Sequence, residues 1–382
     1  MSSVLNLDAV GVEGMRRVYA GMLMPDALAD AFRSPTRTFA TRVVRRGPRS
    51  ARMASGPPLG QELPITSGAE RYDLYDYVSR NRVTGLLVLK DGHIALEQYQ
   101  GGNDGATRWL SMSMAKSIST TLVGAAIQDG HINSVDEPLT RYLPELAGSG
   151  YDGVSIRHVL QMTSGVGWDD THTDPNSERR AMLELQLAQR PGAILRYIAG
   201  RPRVAAPGAQ WNYSTGETHI VGALLRAATG RWLADYLAER IWSRIGAEAD
   251  ACWWLESPGG LEVAGSGFGA TLRDYGRFGM FVLDDGVVDG VRILPPGWMR
   301  EAGAPRLLGS QRLEYGYMWW PVAHPERGFA DGAYSARGIF GQYLYVNPAQ
   351  RVVIVVWSAR SKPKGAEAIA DNDFFNAVVA AL

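Results

Sequence analysis

Trp109-Leu-Ser-Met-Ser-Met-Ala-Lys-Ser-Ile-Ser-Thr-Thr-Leu-Val-Gly-Ala-Ala-Ile127 is small or apolar on almost every side. Ile118, Leu122, Val123 and Ile127 recur at helical spacing within it. A stretch apolar all round reads as a buried helix rather than a surface one. Ser111 is a plausible N-cap, and Asp129-Gly130 ends the run.

Outward from this helix the pattern changes on both sides. On the N-terminal side, Gly85-Leu-Leu-Val-Leu89 is β-like, Lys90-Asp91-Gly92-His93 is a turn, and Ile94-Ala-Leu-Glu-Gln-Tyr99 returns, which reads as a hairpin. Residues 1–75 carry Pro and Gly clusters and an arginine-rich stretch at 42–52, and read as an irregular segment wrapped on the body. On the C-terminal side, residues 128–260 are mainly helical with long loops, one of them at 165–175. Ser214-Thr-Gly-Glu217 has the capping-box pattern and opens a helix over 219–228 that Gly230 closes. Further helices are expected over 233–245 and 272–283. Gly341-Gln-Tyr-Leu-Tyr-Val346 and Arg351-Val-Val-Ile-Val-Val-Trp357 flank Asn347-Pro-Ala-Gln350 as a second apolar hairpin, and 371–382 reads as a closing helix. Strands near both ends with helices between predict an α/β (α+β) fold. Residues 1–115 and 265–382 are expected to form a discontinuous α/β domain, and 116–264 a helical lobe, with the active site between them.

The composition narrows the function. The 382 residues balance 39 Lys and Arg against 39 Asp and Glu. A zero net charge argues against a nucleic-acid partner, which needs a basic face. Cys252, in Ala-Cys-Trp-Trp-Leu, is the single cysteine and reads as a small buried hydrophobe. No cysteine cluster can hold a metal, and no cofactor or metal is expected. No apolar run reaches the ~18 residues of a membrane span. No secretion signal is evident, so a cytoplasmic location is the expectation. Only four residues are lysine, at 90, 116, 362 and 364. Arginine is this chain's usual cation, so each lysine raises the question of what arginine could not do.

Ser113 and Lys116 are three apart on the helix and share a face. A serine hydroxyl is a weak nucleophile until a base takes its proton. Lysine can be that base when burial lowers its pKa, whereas arginine stays protonated. Ser113 in the first helical turn also turns its N–H toward a developing oxyanion. The same Ser-x-x-Lys spacing recurs at Ser361-Lys-Pro-Lys364, where Pro363 disfavours a helix and a solvated loop is expected. Tyr213 stands just before the capped helix, in Pro207-Gly-Ala-Gln-Trp-Asn-Tyr-Ser-Thr-Gly216. Close to a lysine ammonium its phenolate would become accessible and could relay protons.

Several pieces now stand in order: Ser113-Met-Ala-Lys116, Asp136-Glu-Pro-Leu-Thr-Arg-Tyr-Leu-Pro-Glu145, Ile156-Arg-His-Val-Leu-Gln-Met-Thr-Ser-Gly165, Pro207-Gly to Tyr213-Ser, Ala270-Thr-Leu-Arg-Asp274 and Gly338-Ile-Phe-Gly-Gln342. In this order they resemble the serine β-lactamase and penicillin-binding-protein superfamily. The likeness is greatest to the class C β-lactamase-related esterases and amidases, a group that includes the 6-aminohexanoate-dimer hydrolases. The resemblance implies an antiparallel sheet flanked by helices with an inserted helical lobe. It implies Ser113 as nucleophile, with Lys116 and Tyr213 sharing the proton traffic, and an acyl-enzyme hydrolysed by water. It also implies an oxyanion hole made by the backbone N–H groups of Ser113 and Ile339. Two motifs depart from the family pattern. Tyr-x-Asn reads Tyr213-Ser-Thr215, and Lys-Thr-Gly reads Ala336-Arg-Gly338. Both changes remove groups that lactamases use on the antibiotic. Arg337 is a candidate carboxylate anchor, if its side chain faces the pocket.

In the resembled oligomer hydrolases a loop near 165–175 covers the pocket, which makes Trp168, Asp170 and His172 candidate substrate contacts. The sequence lacks a Gly-x-Ser-x-Gly elbow and a His-Glu-x-x-His zinc motif, and its six histidines are scattered. The leading expectation is a hydrolase of carboxylic esters or short linear amides, acting on a small molecule with neither nucleic acid nor membrane as partner. A homodimer is compatible with the sequence. The alternatives are a β-lactamase or D-amino-acid peptidase, and a non-catalytic ligand sensor on the same fold.

Overall fold

The computed structural model describes residues 11–50 and 52–382. Residues 1–10 and 51, part of the segment expected to be irregular, lie outside the described residues.

Six strands form the main sheet: Val83–Lys90 (β1), His93–Tyr99 (β2), Trp320–Pro321 (β3), Tyr334–Gly338 (β4), Gln342–Asn347 (β5) and Val352–Ser358 (β6). The order is β3-β4-β5-β6-β1-β2, antiparallel throughout. Both hairpins read from the sequence are present, and β6 pairing with β1 joins them. The central strands are continuously apolar because helices cover both faces. Leu87, Leu89, Val353 and Val355 point into the larger core, whereas Leu86, Val88, Ile354 and Val356 point into a smaller one on the opposite face.

The six helices that matter here are Val12–Ala20 (α1), Pro25–Phe32 (α2), Met114–Gln128 (α3), Thr215–Thr229 (α4), Leu272–Leu283 (α5) and Asp371–Ala381 (α6). Helix α5 lies on the larger-core face of the sheet, and α6 supplies Phe374 and Phe375 to the other. Helix α3 is buried from Met114 through Ala126 and packs on α4 on one side and on β4 and β5 on the other. It therefore sits at the junction of sheet and helices. A smaller sheet has Thr41–Val44, Ala251–Trp254, Phe268–Ala270 and Trp109–Leu110 side by side. Cys252 is buried in it, and burial pushes its thiol up to about 11. Among the described residues no helix is long and apolar enough to cross a membrane.

Three local expectations need correction. The described residues up to 75 are not irregular: they hold α1, α2, three short strands and the start of the helix Leu74–Arg80. Neither α1 nor α2 has a side-chain N-cap, so packing of Met15, Val18, Tyr19, Leu28 and Phe32 sustains them rather than local signals. Helix α3 begins after Ser113, not Ser111. The Ser111 N–H is still tied to the Phe268 carbonyl (2.8 Å), and Met112 is left-handed (φ 46°), so helical bonding starts later. The segment 233–245 is a short helix, Leu233–Leu237, running into a wider turn over Ala238–Trp242.

Candidate active site

Ser113 occupies the N-cap of α3, directly after the left-handed Met112. This turn carries the chain from the strand Trp109–Leu110 into the helix and leaves Ser113 8% exposed, at the floor of a cleft. Lys116, one turn on, is 1% exposed. Its Nζ lies 3.0 Å from Ser113 Oγ and donates to the Gly265 carbonyl, also at 3.0 Å. Burial pulls its pKa down from 10.5 to about 7; Asp170 opposes this, while Arg179 and Lys364 add to it. Near neutral pH a large share of the amine is therefore uncharged and able to accept a proton.

Tyr213 stands in the loop before α4 and lines the cleft with Ser113, its ring centroid 5.2 Å from Lys116 Nζ. Burial and then Asp170 raise the phenol's pKa, and the neighbouring Ser113 and Arg179 do not offset them. This corrects the expected phenolate. Burial outweighs the nearby cations, so Tyr213 keeps its proton and is placed to donate it.

The strand β4 ends against this turn. A Cβ on Gly338 would meet the Ser111 carbonyl oxygen at 2.4 Å, so only glycine permits the approach. Ile339 follows and lines the cleft beside Ser113. Among the described residues neither the Ser113 nor the Ile339 N–H donates to a backbone carbonyl. Two unused donors thus border the nucleophile, as an oxyanion hole requires.

The candidate substrate contacts fall in different places. His172 lines the cleft at Ser113; it stacks on Tyr19 at 5.8 Å, and burial holds its imidazole neutral, at about 3. Trp168 and Asp170 border an outer groove. Asp170 accepts from Trp168 Nε1 (2.8 Å), Thr215 N (2.9 Å) and Thr215 Oγ1 (3.1 Å). Burial raises its pKa, but Lys116, Arg179 and the Thr215 N–H are among the groups that outweigh burial and keep it ionised. The Thr215 hydroxyl, at the family's asparagine position, is consequently turned to Asp170. Arg337 lines the cleft, with its guanidinium 5.2 Å from the Trp320 ring centroid and its Nε donating to Ser335 Oγ at 2.9 Å.

The expected capping box at α4 is half formed. Ser214 accepts from the Glu217 N–H, but the Glu217 carboxyl turns inward to Ser164, where burial raises it to about 8.

The sequence reading missed several residues at the site. Tyr19 and Arg179 close the space behind Ser113, hydrogen-bonded to one another. Trp211 and Trp320 wall the cleft. Ser361, Lys362 and Lys364 are exposed, as expected of a solvated loop, but Pro363 is buried, and Lys362, Pro363 and Lys364 form part of the cleft's rim, which a freely solvated loop would not. The scarcity of lysine that singled out Lys116 could have singled out Lys362 and Lys364 as well. Tyr19 carried no such signal.

Comparison with known proteins bears on this arrangement. The family model described as beta-lactamase matches residues 77–376. A 6-aminohexanoate-dimer hydrolase of Paenarthrobacter ureafaciens is 30% identical over 306 residues, 76% of this chain and 76% of that one. Esterase EstB of Burkholderia gladioli is 30% identical over 200 residues, 47% of this chain and 50% of its own length. A solved Bacillus anthracis structure, provisionally named a 6-aminohexanoate-dimer hydrolase, superposes with a TM-score of 0.80 at 22% identity, covering 92% of this chain and 94% of that one.

Proposed function

The chain belongs to the beta-lactamase family of serine hydrolases, and we propose that it cleaves carboxylic esters or short linear amides through an acyl-enzyme on Ser113. The observation that carries the reading is the 3.0 Å contact between Ser113 Oγ and a buried Lys116 whose pKa is about 7. In this reading Ser113 Oγ attacks the carbonyl carbon and its proton passes to Lys116. The carbonyl oxygen gains the negative charge between the Ser113 and Ile339 N–H groups. Tyr213 gives its proton to the departing alkoxide or amine, and Lys116 replaces it. Water then attacks the acyl ester and gives up a proton to this relay, and Ser113 leaves with its hydroxyl restored.

The names of two relatives, a 6-aminohexanoate-dimer hydrolase and an esterase, support substrates of these two kinds. Lactam turnover is disfavoured. Ala336 carries no cation, and the Thr215 hydroxyl is spent on Asp170. A hydrolysis panel tests the proposal: short-chain p-nitrophenyl esters, 6-aminohexanoate dimer, D-alanyl peptides and nitrocefin. The expected result is turnover of the esters or the dimer, with nitrocefin left intact. Nitrocefin turnover that outpaces every ester and the dimer would overturn it. A long-lived adduct without product release would point to the ligand sensor instead.

A further inference from the structure

Asp170 fastens the loop at 165–175 to the helix behind Tyr213. Its side chain is 6% exposed, and both of its oxygens are engaged. Oδ1 accepts from Trp168 Nε1 and from the Thr215 N–H, and Oδ2 accepts from the Thr215 hydroxyl. Thr215 is the first residue of α4, a helix of 15 residues, so the carboxylate sits at the positive end of its dipole. With Ser214 accepting from the Glu217 N–H, two of the helix's open donors are met. Asn212 Nδ2 donates to the Trp168 carbonyl at 2.9 Å, a second tie between the loop and the segment of Tyr213.

The neighbour that lacks a counter-charge in contact is Lys116. Its Nζ bonds Ser113 Oγ and the Gly265 carbonyl, both uncharged, and among the described residues it makes no ion pair. Thr215 lies beside it. The two residues line the closed space behind Ser113, and a Cβ on Gly265 would stand 3.1 Å from Thr215 Cγ2 and 3.3 Å from Lys116 Nζ. The other elements around the amine bring no anion. Tyr19 of α1 and Tyr213 bring phenols, and burial holds His172 neutral. Arg179, on the helix Glu178–Leu187, and Lys364, after β6, are cations that disfavour a charged Lys116, whereas Asp170 favours it. Of the other acids bordering the two grooves, Asp169 is exposed, and Glu367 is half-exposed and paired with Arg360 at 3.7 Å.

When Ser113 Oγ bonds to the carbonyl carbon, its proton moves to Lys116 Nζ and a buried ammonium appears. Such a charge is costly without an opposite one nearby. A carboxylate in direct contact would hold Lys116 protonated and unable to accept. One set back behind Thr215 attracts the proton without keeping it there beforehand.

We infer that Asp170 is a positioning residue for this reaction: it anchors the start of the helix behind Tyr213, and its charge offsets the ammonium that forms on Lys116. The inference rests on the Ser113 hydrolysis proposed above and deepens it.

Profiles of kcat/KM against pH for p-nitrophenyl butyrate, on the wild type and on Asp170 variants, test it. Asp170→Asn keeps an oxygen for Trp168 and the Thr215 N–H and places an amide at the Thr215 hydroxyl, so it removes the charge and leaves the anchor. Its acid inflection is expected about one pH unit below that of the wild type, because the ammonium has lost an attraction, and its plateau about tenfold lower, because the base is weaker. Asp170→Ser, a second neutral variant, should move the inflection in the same direction. Asp170→Glu should return it to the wild-type pH, as a purely structural role would not require. Neutral variants whose inflection coincides with that of the wild type, however slow they are, or whose plateau is undiminished, would overturn the inference and leave ester hydrolysis standing. A wild type that hydrolyses no ester would overturn both.

Discussion

Lys116 has the one function at this site that no arginine could take over. Its amine is buried, touches Ser113 and is driven toward its neutral form. With a pKa of about 7, kcat/KM for a neutral ester should fall about tenfold per pH unit below that value and level off above it. A profile flat from pH 5 to 8 would count against Lys116 as the base. Lys116→Arg should cut turnover by about a thousandfold or more, because the guanidinium keeps its proton. The same depression works against stability. The unfolded chain binds the lysine proton up to pH 10.5, whereas the folded one releases it near 7. Between those values the unfolded state holds more protons, so this contribution to stability rises with pH across that window. Lys116→Met should therefore melt above the wild type at pH 7, in an inactive protein, and the gap should shrink as pH approaches 10.5. Calorimetry of both proteins at several pH values measures it.

At the scale of elements, much was legible where local signals were strong. The hairpins around Asp91-Gly92 and Asn347-Pro348, the helix at 272–283 and the α4 cap were read from turn chemistry and periodicity, and they are present. Helices α1 and α2 were not, because uncapped helices of nine and eight residues owe their existence to contacts far away in sequence. Ser113 and Lys116 were legible as a pair. Their turn was not, since the left-handed Met112 and the Gly338 approach exist only when sheet and helix meet. That junction is testable. Gly338→Ala should displace the end of β4 from Ser111 and lower turnover by about a hundredfold, through the misplaced Ile339 N–H, with a smaller loss of stability. Helix α6 offers a control away from the nucleophile. Asp371 accepts from Arg360 at 3.0 and 2.5 Å and from Tyr77 at 2.8 Å, all buried. Asp371→Ala leaves the buried Arg360 guanidinium with only its 3.7 Å contact to the half-exposed Glu367 and should cost about 3 kcal/mol in denaturant unfolding.

Across the whole molecule the site is closed by parts far apart in the chain. Tyr19 of α1 stacks on His172, Phe32 of α2 meets Phe340, and the Gly21 carbonyl holds Lys362. All three contacts come from residues before 77, where the family match begins. Deleting residues 1–33 should therefore lower both the melting temperature and ester turnover, since burial of Tyr19 or Phe32 alone is worth about 1.5–3 kcal/mol. A truncated protein with undiminished turnover would show that α1 and α2 are dispensable to the site. The central claim is covalent chemistry at Ser113, and labelling with a fluorophosphonate tests it most directly, read by peptide mass spectrometry on the wild type and on Ser113→Ala. The account predicts one adduct, on the peptide carrying Ser113, with neither labelling nor ester turnover in the variant. An unlabelled wild type, or a Ser113→Ala protein that still hydrolyses esters at the wild-type rate, would contradict it.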